Sequence, residues 1–391
     1  MSALPDFYTG TLVATALLLI ALVMAPLAHR AWLPEPAGFL AVGVLAGVLG
    51  IQPVGDLSTL DLQKIGSLAL YAVLFQGGLS TGWAAWRGQA RVIGALGLPG
   101  TAATAALLAL AGAGLGLSWE AAILIGVALA PTDPAAVYAT LRHRGETPAR
   151  TVLEGESGFN DPVGIAMMAA AVVAIGAGGS AGGAGIRLVE ELGLGLVGGL
   201  VGAGLVVLVL RVTPRLDDGL QAVAVLAVAV LVATGTASVH GSGFLAIYLT
   251  GLLVSDRWAR EEGRRHAVPE SLAAVSEPIL FGLLGAAAAP FLSLREAVIG
   301  VALTLVTVVA VRPLVVLACA AGSGLGRSDR ILVSCGGLKG AVPLLLATYP
   351  ALEALDVSGE VQAVVLVATS ASIVIQGVAL RVVATRLPAE R

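Results

Sequence analysis

The sequence predicts an all-α polytopic membrane protein of about 13 transmembrane helices, two inverted six-helix repeats joined by a linker helix. Three observations carry that expectation. Hydrophobic residues make up 57% of the 391 and charged residues only 12%, whereas soluble domains are roughly half apolar and a quarter charged. Apolar runs of about 20 residues, the length that crosses a core of roughly 30 Å, recur along the whole chain. Basic residues crowd into every second connection and are nearly missing from the others. The 51 glycines suit membrane helices that touch through small-residue faces. No stretch resembles a soluble domain, so 1–391 reads as a single transmembrane domain without a soluble regulatory domain.

The first apolar run, Thr9 to about Leu27, is preceded by Asp6 with no Lys or Arg and followed by His29 and Arg30. A signal peptide would carry its positive charge first, so this run reads as a retained spanning helix. The full set of runs centres at about 19, 43, 71, 102, 130, 164, 199, 227, 248, 280, 308, 340 and 371. With the N-terminus outside, only Lys64, Arg187 and Arg295 of the 22 basic residues fall in outside loops, and Lys339 falls within helix 12. The rest lie in inside loops, including Arg312, Arg327 and Arg330 between helices 11 and 12, or in the tail with Arg381, Arg386 and Arg391. The pattern predicts a multi-pass protein of the cell (inner) membrane, N-terminus outside and C-terminus cytoplasmic. Helices 1–6 occupy about 9–177, the linker helix 7 about 186–212, and helices 8–13 about 218–387. An offset of seven makes each helix of the first half antiparallel to its partner in the second and pairs helix 5 with helix 12. Both are interrupted, by Pro131-Thr132-Asp133-Pro134 and by Gly336-Gly337, Gly340 and Pro343. Broken helices at matching positions point to a midplane substrate site.

Counting about 1.5 Å per residue from Arg142, Arg150 and Arg330 puts Asp133, Asp161 and Lys339 each roughly 14–17 Å deep, near the middle of the core. Each central charge costs at least about 2.5 kcal/mol on insertion scales, so such residues persist where they pair, line a cavity or carry substrate. On helix 6, Ser157 and Asp161 share a face with Asn160 beside them, while Glu156 lies roughly 140° away from Asp161. One face offers oxygens to a bare cation together with Asp133. The other lets Glu156 pair with a cationic side chain such as Lys339. Pro162 leaves the carbonyl of Gly158 without its usual donor, and Pro134 does the same for Ala130. A carboxylate that releases a proton to accept a cation, and the reverse, makes the two compete for one site.

Several classes are excluded. A net charge of −3 implies no nucleic-acid partner. Cys319 and Cys335 lie in apolar runs with no metal or disulfide spacing and read as packing residues. His29, His143, His240 and His266 fall at loops or helix ends, so no transition-metal site is expected, and His240-Gly241-Ser242-Gly243 reads as a tight turn. Two aspartates on neighbouring helices also occur in intramembrane aspartyl proteases, but such an enzyme needs neither Lys339 nor two matched breaks. A cation-coupled symporter or a channel on similar architecture remains an alternative.

With Pro131-Thr132-Asp133-Pro134, Glu156-Ser157-Gly158-Phe159-Asn160-Asp161, Gly241 through Leu249 and Gly337-Leu338-Lys339-Gly340-Ala341-Val342-Pro343, nearly the whole chain resembles the NhaP-type monovalent cation/proton antiporters. The resemblance implies secondary transport rather than enzymatic chemistry, a homodimer in the lipid bilayer, and interrupted helices 5 and 12 that cross near the midplane. It implies that Asp161 binds proton or cation, that Asp133, Ser157 and the Thr132 carbonyl contribute ligands to the monovalent cation, and that Asn160 supports the core. No cofactor is implied; Na+ or K+ and H+ are cargo. Asn160 before Asp161 resembles the electroneutral branch, and the motifs around Gly241 and Gly337 resemble the potassium/proton subgroup. Two departures stand out. Gln76 replaces the acidic residue of many relatives in helix 3, leaving at most an accessory neutral oxygen. Lys339 stands where the family usually has Arg in helix 12, keeping the charge but losing the bidentate fork.

Overall fold

The computed structural model describes residues 3–30, 33–51, 57–133, 147–176, 181–259 and 267–386. Pro134, Arg142, His143, His266 and Arg391, singled out above, lie outside the described residues. The regular structure among the described residues is all helix, with no strand. In chain order the helices are α1 (Ala3–Arg30), α2 (Glu35–Val48), α3 (Thr59–Thr81), α4 (Trp83–Gly114), α5 (Trp119–Ala128), α6 (Pro148–Gly176), α7 (Ala181–Val212), α8 (Asp218–Ser238), α9 (Gly243–Ala259), α10 (Ala267–Ala288), α11 (Leu294–Cys319), α12 (Arg327–Cys335 and Ala341–Leu346, either side of a break) and α13 (Ser358–Arg386). Among the described residues, eight helices are long and apolar enough to cross a membrane, and α2, α5 and the second part of α12 are apolar but shorter. The centre expected near residue 130 falls just past the end of α5, that near 340 falls in the break within α12, and the other eleven fall within the helices.

Local chemistry sets the helix ends. Ser58, Ser118 and Asp217 each accept a hydrogen bond from the backbone N–H three residues on, capping α3, α5 and α8. The α8–α9 connection is the tight turn expected at His240, which takes a φ of 63° while Gly241 N–H donates to the Thr236 carbonyl at 2.9 Å.

Small residues let the helices touch backbone to backbone. A Cβ at Gly78 of α3 would come within 2.4 Å of the Tyr248 carbonyl oxygen on α9, and one at Gly43 of α2 within 2.3 Å of the Gly282 carbonyl oxygen on α10. These pairings, α3 on α9 and α2 on α10, are among the most extensive in the molecule. The offset of seven converts one into the other, since α2 becomes α9 and α3 becomes α10. The same offset relates two further irregularities. Each of α4 and α11 carries a five-residue π turn, Leu96–Gly100 in the first and Thr307–Val311 in the second. The breaks after α5 and within α12 are the third matched pair.

Candidate functional site

The two breaks meet at one point. Asp133 N–H donates to the Leu338 carbonyl at 2.8 Å, joining the interrupted segments through their main chains. Lys339 Nζ donates to the carbonyls of Ala130 at 3.3 Å and Pro131 at 3.1 Å, and Lys339 N–H donates to Ser372 Oγ of α13 at 3.0 Å. The Ala130 carbonyl, just past the end of α5, is thus taken by a lysine from the break in α12. Gly340 is required by proximity, because a Cβ there would lie 2.4 Å from Asp133 Oδ2.

Helix α6 brings its polar residues against this crossing. Ser157 Oγ donates to the Thr132 carbonyl, Asn160 Nδ2 donates to Thr132 Oγ1 at 3.0 Å, and Thr132 N–H donates to Asn160 Oδ1 at 3.3 Å. Asn160 holds the broken segment by both ends of its amide. Asp161 is 3% exposed, and its Oδ1 has no hydrogen-bond partner among the described residues. It faces a cavity of about 30 Å³ together with Thr132, Asp133 and Gly340, room for one or two water-sized occupants. The structure therefore gathers Asp133, Asp161, Thr132, Ser157 and Asn160 in one place. Gln76 is half-buried and does not line this cavity, which α3 approaches through Leu70 and Val73.

The pairing expected between Glu156 and Lys339 does not form. Glu156 instead receives Arg312 Nη1 at 2.5 Å and Nη2 at 2.7 Å, both side chains buried, while Arg312 Nε and Nη2 also donate to the Val333 carbonyl at 3.2 and 3.0 Å. The physical reason is shape. A planar guanidinium meets a carboxylate with two parallel bonds and still has donors for a helix-end carbonyl, whereas an ammonium is a compact point charge. Arg312 is also not a loop residue as the basic-residue pattern placed it, but is 4% exposed within α11. It directly follows the Thr307–Val311 π turn, and the residue accommodated there rotates the remainder of α11 by about 100° at 3.6 residues per turn.

The two polar faces of α6 do separate. Asp161 faces the cavity above, whereas Glu156, Arg312 and Lys339 line a second small cavity on the other side of Thr132. Lys339→Ala is expected to remove two buried hydrogen bonds from the break, lowering stability by roughly 1–3 kcal/mol. The melting temperature in detergent should fall while the Glu156–Arg312 pair stays intact; an unchanged melting temperature would show that Lys339 does not brace the crossing.

Glu277 of α10 was not singled out from the sequence, yet it lines the same cavity as Asp133 and Asp161. Its signal was present, an acidic residue amid the apolar run of α10, three residues from the centre expected near 280. A larger cavity of about 1070 Å³ begins one turn along α6 at Ile165 and extends to Glu190, Glu191 and His240, without reaching either aspartate.

A family model described as sodium/hydrogen exchanger, transmembrane, matches residues 16–386. The chain is 32% identical over 355 residues to a K(+)/H(+) antiporter NhaP2 of Shewanella oneidensis, covering 88% of this chain and 61% of that protein. It is 32% identical over 345 residues to a K(+)/H(+) antiporter NhaP of Alkalimonas amylolytica, covering 87% and 60%. The chain thus spans about three-fifths of the length of these relatives. The fold is similar to that of the sodium proton antiporter MjNhaP1 from Methanocaldococcus jannaschii, with a TM-score of 0.79 at 19% identity over 98% of this chain and 99% of that one. With the family model matched from the first membrane helix to the last, the chain belongs to the transmembrane sodium/hydrogen exchanger family.

Proposed function

We propose that this protein is a secondary antiporter that exchanges a monovalent cation, Na+ or K+, for H+ by alternating access, one for one and electroneutral, and so serves pH and cation homeostasis. One observation carries the reading: Asp161, buried, with a carboxylate oxygen that has no partner among the described residues, faces a cation-sized cavity where the end of α5 meets the break in α12. An oxygen-only donor set fits a hard monovalent cation. Asp161 carries either the proton or the cation. Asp133, Ser157 and the Thr132 carbonyl supply further oxygens, and Asn160 holds the break in register.

The assembly and orientation belong to the same reading. We take the protein to be a homodimer in the inner membrane with its N-terminus outside. The exposed apolar faces of α1 and α7 leave surface for a second copy, and the matched breaks, π turns and pairings favour two inverted repeats.

Proteoliposomes containing a pH-sensitive dye, given K+, Na+ and Li+ in turn, test the activity. Proton flux should appear on adding K+ or Na+, run opposite to the cation, and be unaffected by a clamped membrane voltage. Cation current without proton movement would establish a channel, and co-directional flux a symporter. The relatives named as K(+)/H(+) antiporters give K+ first place in the series.

A further inference from the structure

The cavity that Asp161 faces has two walls. One is the crossing itself, with Thr132, Asp133 and Gly340 beside Asp161. The other is built by α3 and α10, which pack on each other and contribute Leu70 and Val73, and Glu277, Leu280 and Phe281. The second wall is apolar except for one carboxylate. Among the described residues no basic side chain lines the cavity. The two buried cations nearby are committed elsewhere, Lys339 to the Ala130 and Pro131 carbonyls and Arg312 to Glu156. Among the described residues Glu277 has neither an ion-pair nor a hydrogen-bond partner, and the charges acting on it are the carboxylates of Asp133 and Glu35. A membrane-embedded acid surrounded by acids persists where a mobile cation or proton neutralises it.

We propose that Glu277 is a third cation-binding carboxylate of the exchange site, reaching the monovalent cation from the wall opposite Asp133 and Asp161. This rests on the reading of Asp161 as the exchange residue. Three elements distant in sequence then converge on one ion, the break after α5, helix α6 and helix α10. The cavity is small enough that an ion losing its water must take replacement oxygens from all of them.

The test uses the full chain in proteoliposomes with K+ and Na+ series, comparing wild type, Glu277→Gln, Glu277→Asp and Asp161→Asn. Glu277→Gln should raise the half-saturating cation concentration about tenfold, the size of one lost charge contact, and change the maximal rate by less than about threefold. Glu277→Asp, which keeps the charge and withdraws it by one methylene, should fall between Gln and wild type. If Glu277→Gln exchanges too slowly to measure, cation-induced stabilisation of the detergent-solubilised protein reads binding alone and should require about tenfold more cation than wild type. If Glu277→Gln fails to fold, Glu277→Asp carries the test. A wild-type half-saturating concentration in the folded variants, or a loss confined to the maximal rate, would overturn the proposal. Exchange that persists in Asp161→Asn would instead refute the assignment of the site, so the two failures are distinguishable.

Discussion

Asp161→Asn is expected to reduce cation-dependent proton flux to background, below about 1% of wild type, in a protein that still folds. The amide keeps the shape of the acid but can neither carry the charge a cation needs nor release the proton it is exchanged for. The surroundings explain why folding survives. Asp161 is almost fully buried and its Oδ1 has no hydrogen-bond partner among the described residues, so the substitution breaks no described bond at that atom and removes a charge that is costly to bury. The melting temperature in detergent should therefore be equal to or above that of wild type. Ser157 and Asn160 beside it offer no substitute, because neither a hydroxyl nor an amide carries a charge or releases a proton at neutral pH. Wild-type exchange in the purified variant would remove Asp161 from the mechanism.

Arg312→Ala should have the largest effect on stability. It strands Glu156 as an uncompensated charge and strips both donors from the Val333 carbonyl at the end of the first part of α12. Removing one partner of a buried pair costs roughly 3–5 kcal/mol. Arg312→Lys keeps the charge without the fork and should lie between the two. The double variant Glu156→Gln, Arg312→Met leaves neither charge behind and should melt above Arg312→Ala, although it carries one more change. These differences are read by thermal denaturation in detergent. An Arg312→Ala protein that melts with wild type would mean that the pair contributes nothing to holding α11, α6 and α12 together.

Much of the architecture is legible before any coordinates because lipid constrains a chain so strongly. Runs of apolar residues and clusters of arginine located the helices, and Pro131-Thr132-Asp133-Pro134 and Gly336 to Gly340 located the two breaks. Helical phase separated Glu156 from Asp161, and the structure keeps them in different cavities. What phase could not supply was the partner of Glu156, which lies 156 residues away in sequence. Lys339 was the one intramembrane cation that the depth count identified. Arg312 was assigned to a loop because a charge was allowed to end an apolar run that in fact continues from Pro313 to Cys319. Glu277 was not weighed among the intramembrane charges, although it lies three residues from the centre expected near 280 and an intramembrane charge marks a site.

The bonds from Asp133 to Leu338 and from Lys339 to Ala130 and Pro131 clamp the two interrupted segments into one braced frame. Asp133 lies within this frame, and Ser157 and Asn160, one turn and one residue before Asp161, tie α6 to it through Thr132. On the proposed reading, a single set of oxygen spacings, and with it a single ranking of ions by radius, would govern entry from either compartment, and any difference in selectivity between the two faces would originate in the wall opposite.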